Sequence, residues 1–96
     1  MRTGYYYIYI LANKGREMHI GIACDLEKAI HEQGLHAARA HAKSFDFNKL
    51  IHVEEYENIN VAMSRKHQLE EWDELRKKDL IERLNPTWSN LLYEYA

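Results

Sequence analysis

The run Tyr5-Tyr6-Tyr7-Ile8-Tyr9-Ile10-Leu11-Ala12, followed after a short polar break by Met18-His19-Ile20-Gly21-Ile22, is the feature that most restricts what this chain can become. β-Branched and aromatic side chains fit a pleated, half-buried surface and lose rotamer freedom in a helix. The break, Asn13-Lys14-Gly15-Arg16, carries turn chemistry, with Gly15 able to adopt positive φ at no steric cost. Two such runs around a turn segment predict a β-hairpin over 5–12 and 18–22.

After the hairpin the period changes. Asp25 can cap a helix whose apolar positions Leu26, Ala29 and Ile30 recur at helical spacing, with Gly34 placed to end it. Residues 35–46 form a polar connection, with room for a further helical turn, that holds His36, Arg39, His41 and Lys43. Phe47 to Glu55, with Leu50, Ile51 and Val53, suggests a third strand. Asn58 can then cap a second helix with Ile59, Ala62, Met63, Lys66, Leu69 and Trp72 on one stripe. A third helix over 73–84 presents Leu75, Leu80, Ile81 and Leu84, and it stops before Asn85-Pro86 because the residue preceding proline disfavours helix. Trp88, Leu91 and Leu92 are expected to pack the tail back onto the core.

Length sets the scale of the whole. Ninety-six residues with 46% hydrophobic content make one domain, spanning 1–96, with an adequate core. Its net charge of -2 lacks the global basic excess of a typical nucleic-acid binder. The charge is uneven, since residues 1–53 carry seven Lys/Arg against five acids and residues 54–96 carry six against ten. An anion-binding face is therefore expected in the first half or on a local patch. A single cysteine, Cys24, excludes an internal disulfide and points to a reducing, cytoplasmic setting. No apolar run approaches the ~20 residues that span a bilayer, so no membrane association is expected.

Tyr7-Ile8-Tyr9, nine residues, and then His19-Ile20-Gly21 resemble the two motifs that open the GIY-YIG endonuclease family. Gly21-Ile22-Ala23-Cys24-Asp25-Leu26-Glu27-Lys28 resembles the family's continuation into its first helix, Leu50-Ile51 with Glu54-Glu55-Tyr56 its third strand, and Ala62 through Trp72 its central helix. With Leu84-Asn85-Pro86-Thr87-Trp88, the likeness to the small single-domain bacterial branch, and to the amino-terminal domain of the excision-repair nuclease, covers nearly the whole chain. What the resemblance implies is an α+β fold with a small three-stranded antiparallel sheet flanked by helices, and metal-dependent hydrolysis of a phosphodiester. It implies, residue by residue, that Tyr9 is the first-motif tyrosine, that His19 replaces the second, that Gly21 is the retained glycine and that Asn85 is the late asparagine. The helix-one arginine position falls on Ala29, a nearby histidine on Gln33, the tyrosine before strand three on Phe45, and the metal-binding glutamate on Lys66.

Those departures bear directly on chemistry. Phosphodiester hydrolysis needs a metal to polarise the phosphate and a cation to hold developing charge. Lysine has three donors and no acceptor, so Lys66 cannot ligate Mg²⁺. The expected function is a catalytically degenerate nuclease-like domain with no cofactor, binding nucleic acid or another phosphate-bearing ligand through Tyr9 and His19 with Gly21, Lys66, Asn85, Arg39 and Lys43 around them. Two readings of Lys66 stay open, an ammonium facing an anion and a lysine that snorkels to water or pairs with Glu70. His19 is either a site residue or an ordinary strand residue, and Tyr9 either lines a pocket or packs the core.

Two other functions fit the same residues. One is an active, Mg²⁺-dependent endonuclease with its carboxylate relocated to Glu70, Glu71 or Glu32 and its cation to Arg39 or Arg65. The other is a partner-binding or homodimer module presenting Trp72, Trp88, Tyr93 and Tyr95. A metal site built on His31, Glu32 and His36 is disfavoured, because a five-residue step fits one helix face poorly and Gly34 interrupts it.

Overall fold

The computed structural model describes residues 4–32 and 49–95. Three strands, β1 (Tyr6–Ala12), β2 (Met18–Ala23) and β3 (Lys49–Tyr56), form one antiparallel sheet in the order β2-β1-β3. Helix α1 occupies residues 26–32 within the described range, and α2 (Ile59–Glu71), α3 (Glu74–Leu84) and α4 (Leu92–Tyr95) follow β3. The fold is the expected α+β arrangement of a small sheet covered by helices.

The hairpin's central strand explains its own composition. Tyr7, Ile8, Ile10 and Leu11 of β1 are fully buried, since β1 lies between two strands and both its faces are covered. On one face Tyr7, Tyr9 and Leu11 pack with Leu26 and Ile30 of α1 and with Leu50, and Leu91 and Leu92 close that side. On the other, Ile8 meets Ala62 and Leu69 of α2, while Ile10 and Ala12 meet Ile81 of α3 and Trp88. A strand apolar on both sides reads as a continuous run, as residues 5–12 do. The β1–β3 register shifts between Ile10 and Leu11, whose partners His52 and Leu50 leave Ile51 as the extra residue of a bulge.

The turn differs from expectation in one respect. Arg16 N–H donates to the Asn13 carbonyl at 3.1 Å, Asn13 N–H donates to the Glu17 carbonyl at 3.2 Å, and the Asn13 side chain accepts from Glu17 N–H at 2.9 Å. The left-handed residue is Arg16, with φ 60°, rather than Gly15. Closing the turn on the Asn13 carbonyl moves the positive φ to the residue after the tight bend, and the Arg16 guanidinium lies 4.7 Å over the Trp88 ring.

Helices α1 and α2 begin after the expected caps Asp25 and Asn58, and α3 begins at Glu74 because Asp73, expected inside the helix, caps it. The Asp25 carboxylate accepts from Lys28 N–H at 3.1 Å, Asn58 accepts from Asn60 N–H and Val61 N–H, and Asp73 accepts from Arg76 N–H at 2.8 Å. Each satisfies donors that the first turn leaves without a partner. Helix α3 ends at Leu84, before Asn85-Pro86.

The apolar stripes are narrower than periodicity suggests. In α2 only Ala62 and Leu69 are buried, and Ile59 and Met63 are about two-fifths exposed. In α3 Ile81 is buried while Leu75 and Leu84 are 71% and 79% exposed. Lys77, one turn before Ile81, keeps a side chain only 13% exposed, so its methylene stem covers core that the pattern assigns to leucine. The tail is held by Leu91 N–H donating to the Leu50 carbonyl at 2.7 Å and by the burial of Trp88.

Candidate functional site

Tyr9 and Gly21 face each other across the β1–β2 pair. A Cβ built on Gly21 would stand 2.2 Å from Cζ and 2.3 Å from Oη of Tyr9, so the tyrosine ring lies flat over a position that only glycine can occupy. His19, opposite Leu11 on the same face, has its ring centroid 6.4 Å from that of Tyr9 in a tilted arrangement. The two motif positions of the hairpin thus form one aromatic patch at the β2 edge.

Beside the patch a cleft of about 520 Å³ opens between the end of β2 and α1. Its walls include Tyr9, Cys24, Asp25, Lys28, Ala29 and Glu32. The first turns of α1 supply Lys28, Ala29 and Glu32 because the Asp25 cap fixes where the helix begins. Ala29 leaves open the space that a longer side chain would fill. Burial, and then the Glu32 carboxylate, push the Tyr9 hydroxyl above the usual tyrosine range. At neutral pH Tyr9 is therefore a hydrogen-bond donor rather than a phenolate.

Lys66 reaches this region from α2, on the opposite face of the sheet. Its Nζ lies 3.5 Å from the Glu70 carboxylate one turn on, with the lysine side chain 27% exposed. Burial and the Lys66 charge hold His19 below the ordinary histidine range, while Glu70 pulls the other way. Lys66 does not line the cleft. Of the two readings left open by the sequence, the pairing with Glu70 is the one realised, but a partly exposed i,i+4 pair is worth under about 1 kcal/mol and yields readily to a stronger anion.

Other sequence candidates lie elsewhere. Asn85 is buried, with Nδ2 donating to the carbonyls of Ile51 (3.1 Å) and Ser89 (2.9 Å) and Oδ1 accepting from Ser89 N–H (2.9 Å). It is a latch between β3 and the turn after α3, and it is not on the cleft wall. Arg39 and Lys43, with Gln33, His36, His41 and Phe45, fall outside the described residues. Arg65, a candidate relocated cation, is committed to Glu54 through Nε (2.8 Å) and Nη2 (3.0 Å) and to Gln68 through Nη1 (2.6 Å). Trp88 is only 2% exposed, and Trp72 is half-buried with the guanidinium groups of Arg65 and Arg76 over its ring. The side chains of Tyr93 and Tyr95 lie outside the described set.

The Glu54 network went unread in the sequence. Beyond Arg65, Glu54 receives hydrogen bonds from Tyr56 Oη at 2.7 Å and His52 Nε2 at 2.9 Å. Burial alone would raise its pKa, but these donors hold the carboxyl far below the usual carboxylate range, and burial together with the same contact pushes Tyr56 up to about 12. The signal was the alternation His52, Glu54, Tyr56, three polar groups on one strand face.

The resemblance to GIY-YIG nucleases implies a divalent metal held by a carboxylate on α2. The α2 position holds an ammonium, and among the described residues no three His, Cys, Asp or Glu side chains come together as a metal-binding group. Among the described residues no helix is long and apolar enough to cross a membrane.

No protein-family model matches the chain. It is similar to the UPF0213 protein of Haloquadratum walsbyi, 23% identical over 78 residues that cover 81% of this chain and 88% of that protein. Its fold is similar to the solution NMR structure of a UPF0213 protein from Bacillus halodurans, with a TM-score of 0.57 at 20% identity, covering 90% of this chain and 92% of that one.

Proposed function

We propose that this chain is a nuclease-like domain of GIY-YIG type that has lost metal-dependent cleavage and binds the phosphate of a nucleic-acid end, or of a related ligand, at the edge of β2. The observation that supports the reading is the Tyr9 ring seated on Gly21 with the His19 ring 6.4 Å away, at an edge strand against which α2, the helix that carries Lys66, packs. Those are the positions at which the chain resembles the family's site, and three of them present donors to an anion: the Tyr9 hydroxyl, the Lys66 ammonium and, when protonated, the His19 ring.

The charge distribution supports a division of the ligand between cleft and rim. The cleft carries Lys28 against Asp25 and Glu32, a net charge of -1, so it disfavours a phosphate and suits a neutral or amine-bearing moiety such as a base. The phosphate belongs at the rim, where Lys66 can exchange its weak hold on Glu70 for a charge-assisted bond. Without a metal or an arginine at Ala29, nothing stabilises the pentavalent transition state, and binding stops short of hydrolysis.

Fluorescence anisotropy with 5′-phosphorylated DNA and RNA oligonucleotides tests the reading. Affinity should fall as salt rises, by roughly the slope of one or two phosphate contacts, and Lys66→Glu should weaken it by about 10-fold or more. Binding that ignores salt or survives Lys66→Glu unchanged would sink it. A second reading, an active nuclease with a relocated carboxylate, has one observation in its favour, the Glu32 side chain beside Tyr9. Mg²⁺- or Mn²⁺-dependent plasmid nicking that is abolished by Glu32→Gln would establish it in place of the first.

A further inference from the structure

At the corner between α2 and α3, away from the Tyr9 cleft, a second cavity of about 310 Å³ is lined by Trp72, Arg76, Asp79, Leu80 and Arg83. The corner exists because α2 stops at Glu71 and α3 restarts at Glu74, leaving Trp72 as the C-cap with extended backbone. Trp72 packs its inner side against the cluster of Ile8, Ala62 and Leu69. Two arginines stand over its ring, Arg65 at 5.1 Å and Arg76 at 4.0 Å.

The two arginines are in different states. Arg65 spends its donors on Glu54 and Gln68. Arg76 has its ring contact with Trp72, and neither Arg76 nor Arg83 forms an ion pair with any described carboxylate. A guanidinium engaged through its face keeps its in-plane N–H groups available, and stacking holds the side chain in place before any ligand arrives. Arg76 and Arg83 are seven residues apart, two turns of one helix, and so present both forks on the same side of α3. Asp79 lies on the same wall, leaving the cavity a net charge of +1.

We propose that this corner is a second anion site, taking a phosphate group that carries an organic moiety: Arg76 and Arg83 hold the phosphate oxygens, while Trp72 and Leu80 receive the apolar or aromatic portion. The guanidinium forks of Arg76 and Arg83 suit the bidentate geometry of phosphate, and Leu80 with the part of Trp72 that lines the cavity supplies a surface on which a ring or chain loses its water. Asp79 works against the anion and sets the affinity below what the two arginines alone would give. The site stands independently of the Tyr9–His19 reading, since it shares no residue with it.

The test is NMR titration of the full chain, following the Trp72 indole N–H and the arginine Nε–H signals, with three probes: inorganic phosphate, adenosine 5′-monophosphate, and a short single-stranded oligodeoxynucleotide. Saturable shifts at Trp72, Arg76 and Arg83 are expected with the nucleotide at lower concentration than with inorganic phosphate. A tighter response to the oligonucleotide would identify a strand as the source of the phosphate, and an equal one a free nucleotide. Arg83→Gln and Arg76→Gln should each weaken binding about 10-fold, whereas Asp79→Asn should tighten it several-fold. Arg83 is exposed in the last turn of α3, so its variant keeps the test decisive should Arg76→Gln disturb the Trp72 packing. Lys66→Glu should leave these shifts unchanged, which separates failure here from failure at the β2 edge. Shifts that never saturate, or that are insensitive to both Arg83→Gln and Asp79→Asn, would overturn the proposal.

Discussion

Gly21→Ala is the sharpest probe of the hairpin site, because the structure sets the size of the clash. The added Cβ would sit 2.2 Å from Cζ, 2.3 Å from Oη and 2.7 Å from Cε2 of Tyr9. Comfortable carbon contacts lie at about 3.5–4.0 Å, so the outer half of the ring must retreat by roughly 1.3–1.8 Å. It has little room to do so, since Tyr9 is 6% exposed and packed with Leu11, Leu26 and Ile30. Overpacking of this kind costs about 1–3 kcal/mol, against which alanine returns roughly 0.5–1 kcal/mol through lower unfolded-state entropy. A net destabilisation of about 1–2 kcal/mol is expected, read as a lower midpoint in guanidinium denaturation with unchanged slope. The same substitution in a Tyr9→Ala background should be neutral or stabilising, because its collision partner is gone. If Gly21→Ala costs the same in both backgrounds, the ring does not lie over the glycine and the geometry assigned to the site is wrong.

Two further outcomes follow from the polar interior. Asn85→Ala removes one hydrogen bond to β3, at the Ile51 carbonyl, and two to Ser89 in the turn after α3, and leaves buried backbone groups unpaired, so stability should drop by about 2–4 kcal/mol. Limited proteolysis should then cut after Leu84, and an unchanged digestion pattern would count against the latch. Glu54 has a folded-state pKa depressed below its ordinary value of 4.5, so its contribution is fully present above that pH and is lost as pH falls below it. Glu54→Gln should therefore destabilise by about 2–4 kcal/mol at pH 7, with the gap to the parent chain narrowing in thermal melts as the pH drops from 5 towards 2. A gap that stays constant over that range would refute the ionised Glu54–Arg65 pairing.

The sequence by itself determined the elements: the aromatic and β-branched run of residues 5–12, the caps Asp25 and Asn58, and the stop before Pro86 each act within a few residues. Local sterics and unsatisfied backbone donors decide such features, so they are legible without neighbours. The resemblance named Tyr9 and Gly21 as candidate site residues, and the hairpin register sets them opposite each other. What it left undecided was everything that depends on which side chain meets which across elements. Lys66 could face an anion or Glu70, and only the placement of α2 beside the β2 edge puts it within electrostatic reach of His19 while pairing it with Glu70. Asn85 looked like a site residue until the turn after α3 folded against β3 and consumed its amide. Arg65 looked like a free cation until Glu54, eleven residues earlier, came opposite it. Trp72 and Trp88 could pack inward or face a partner, and the tertiary structure buried Trp88 under the tail and set two arginines over Trp72. A charged or amphipathic side chain has several acceptable partners at nearly equal energy, and tertiary contact selects among them.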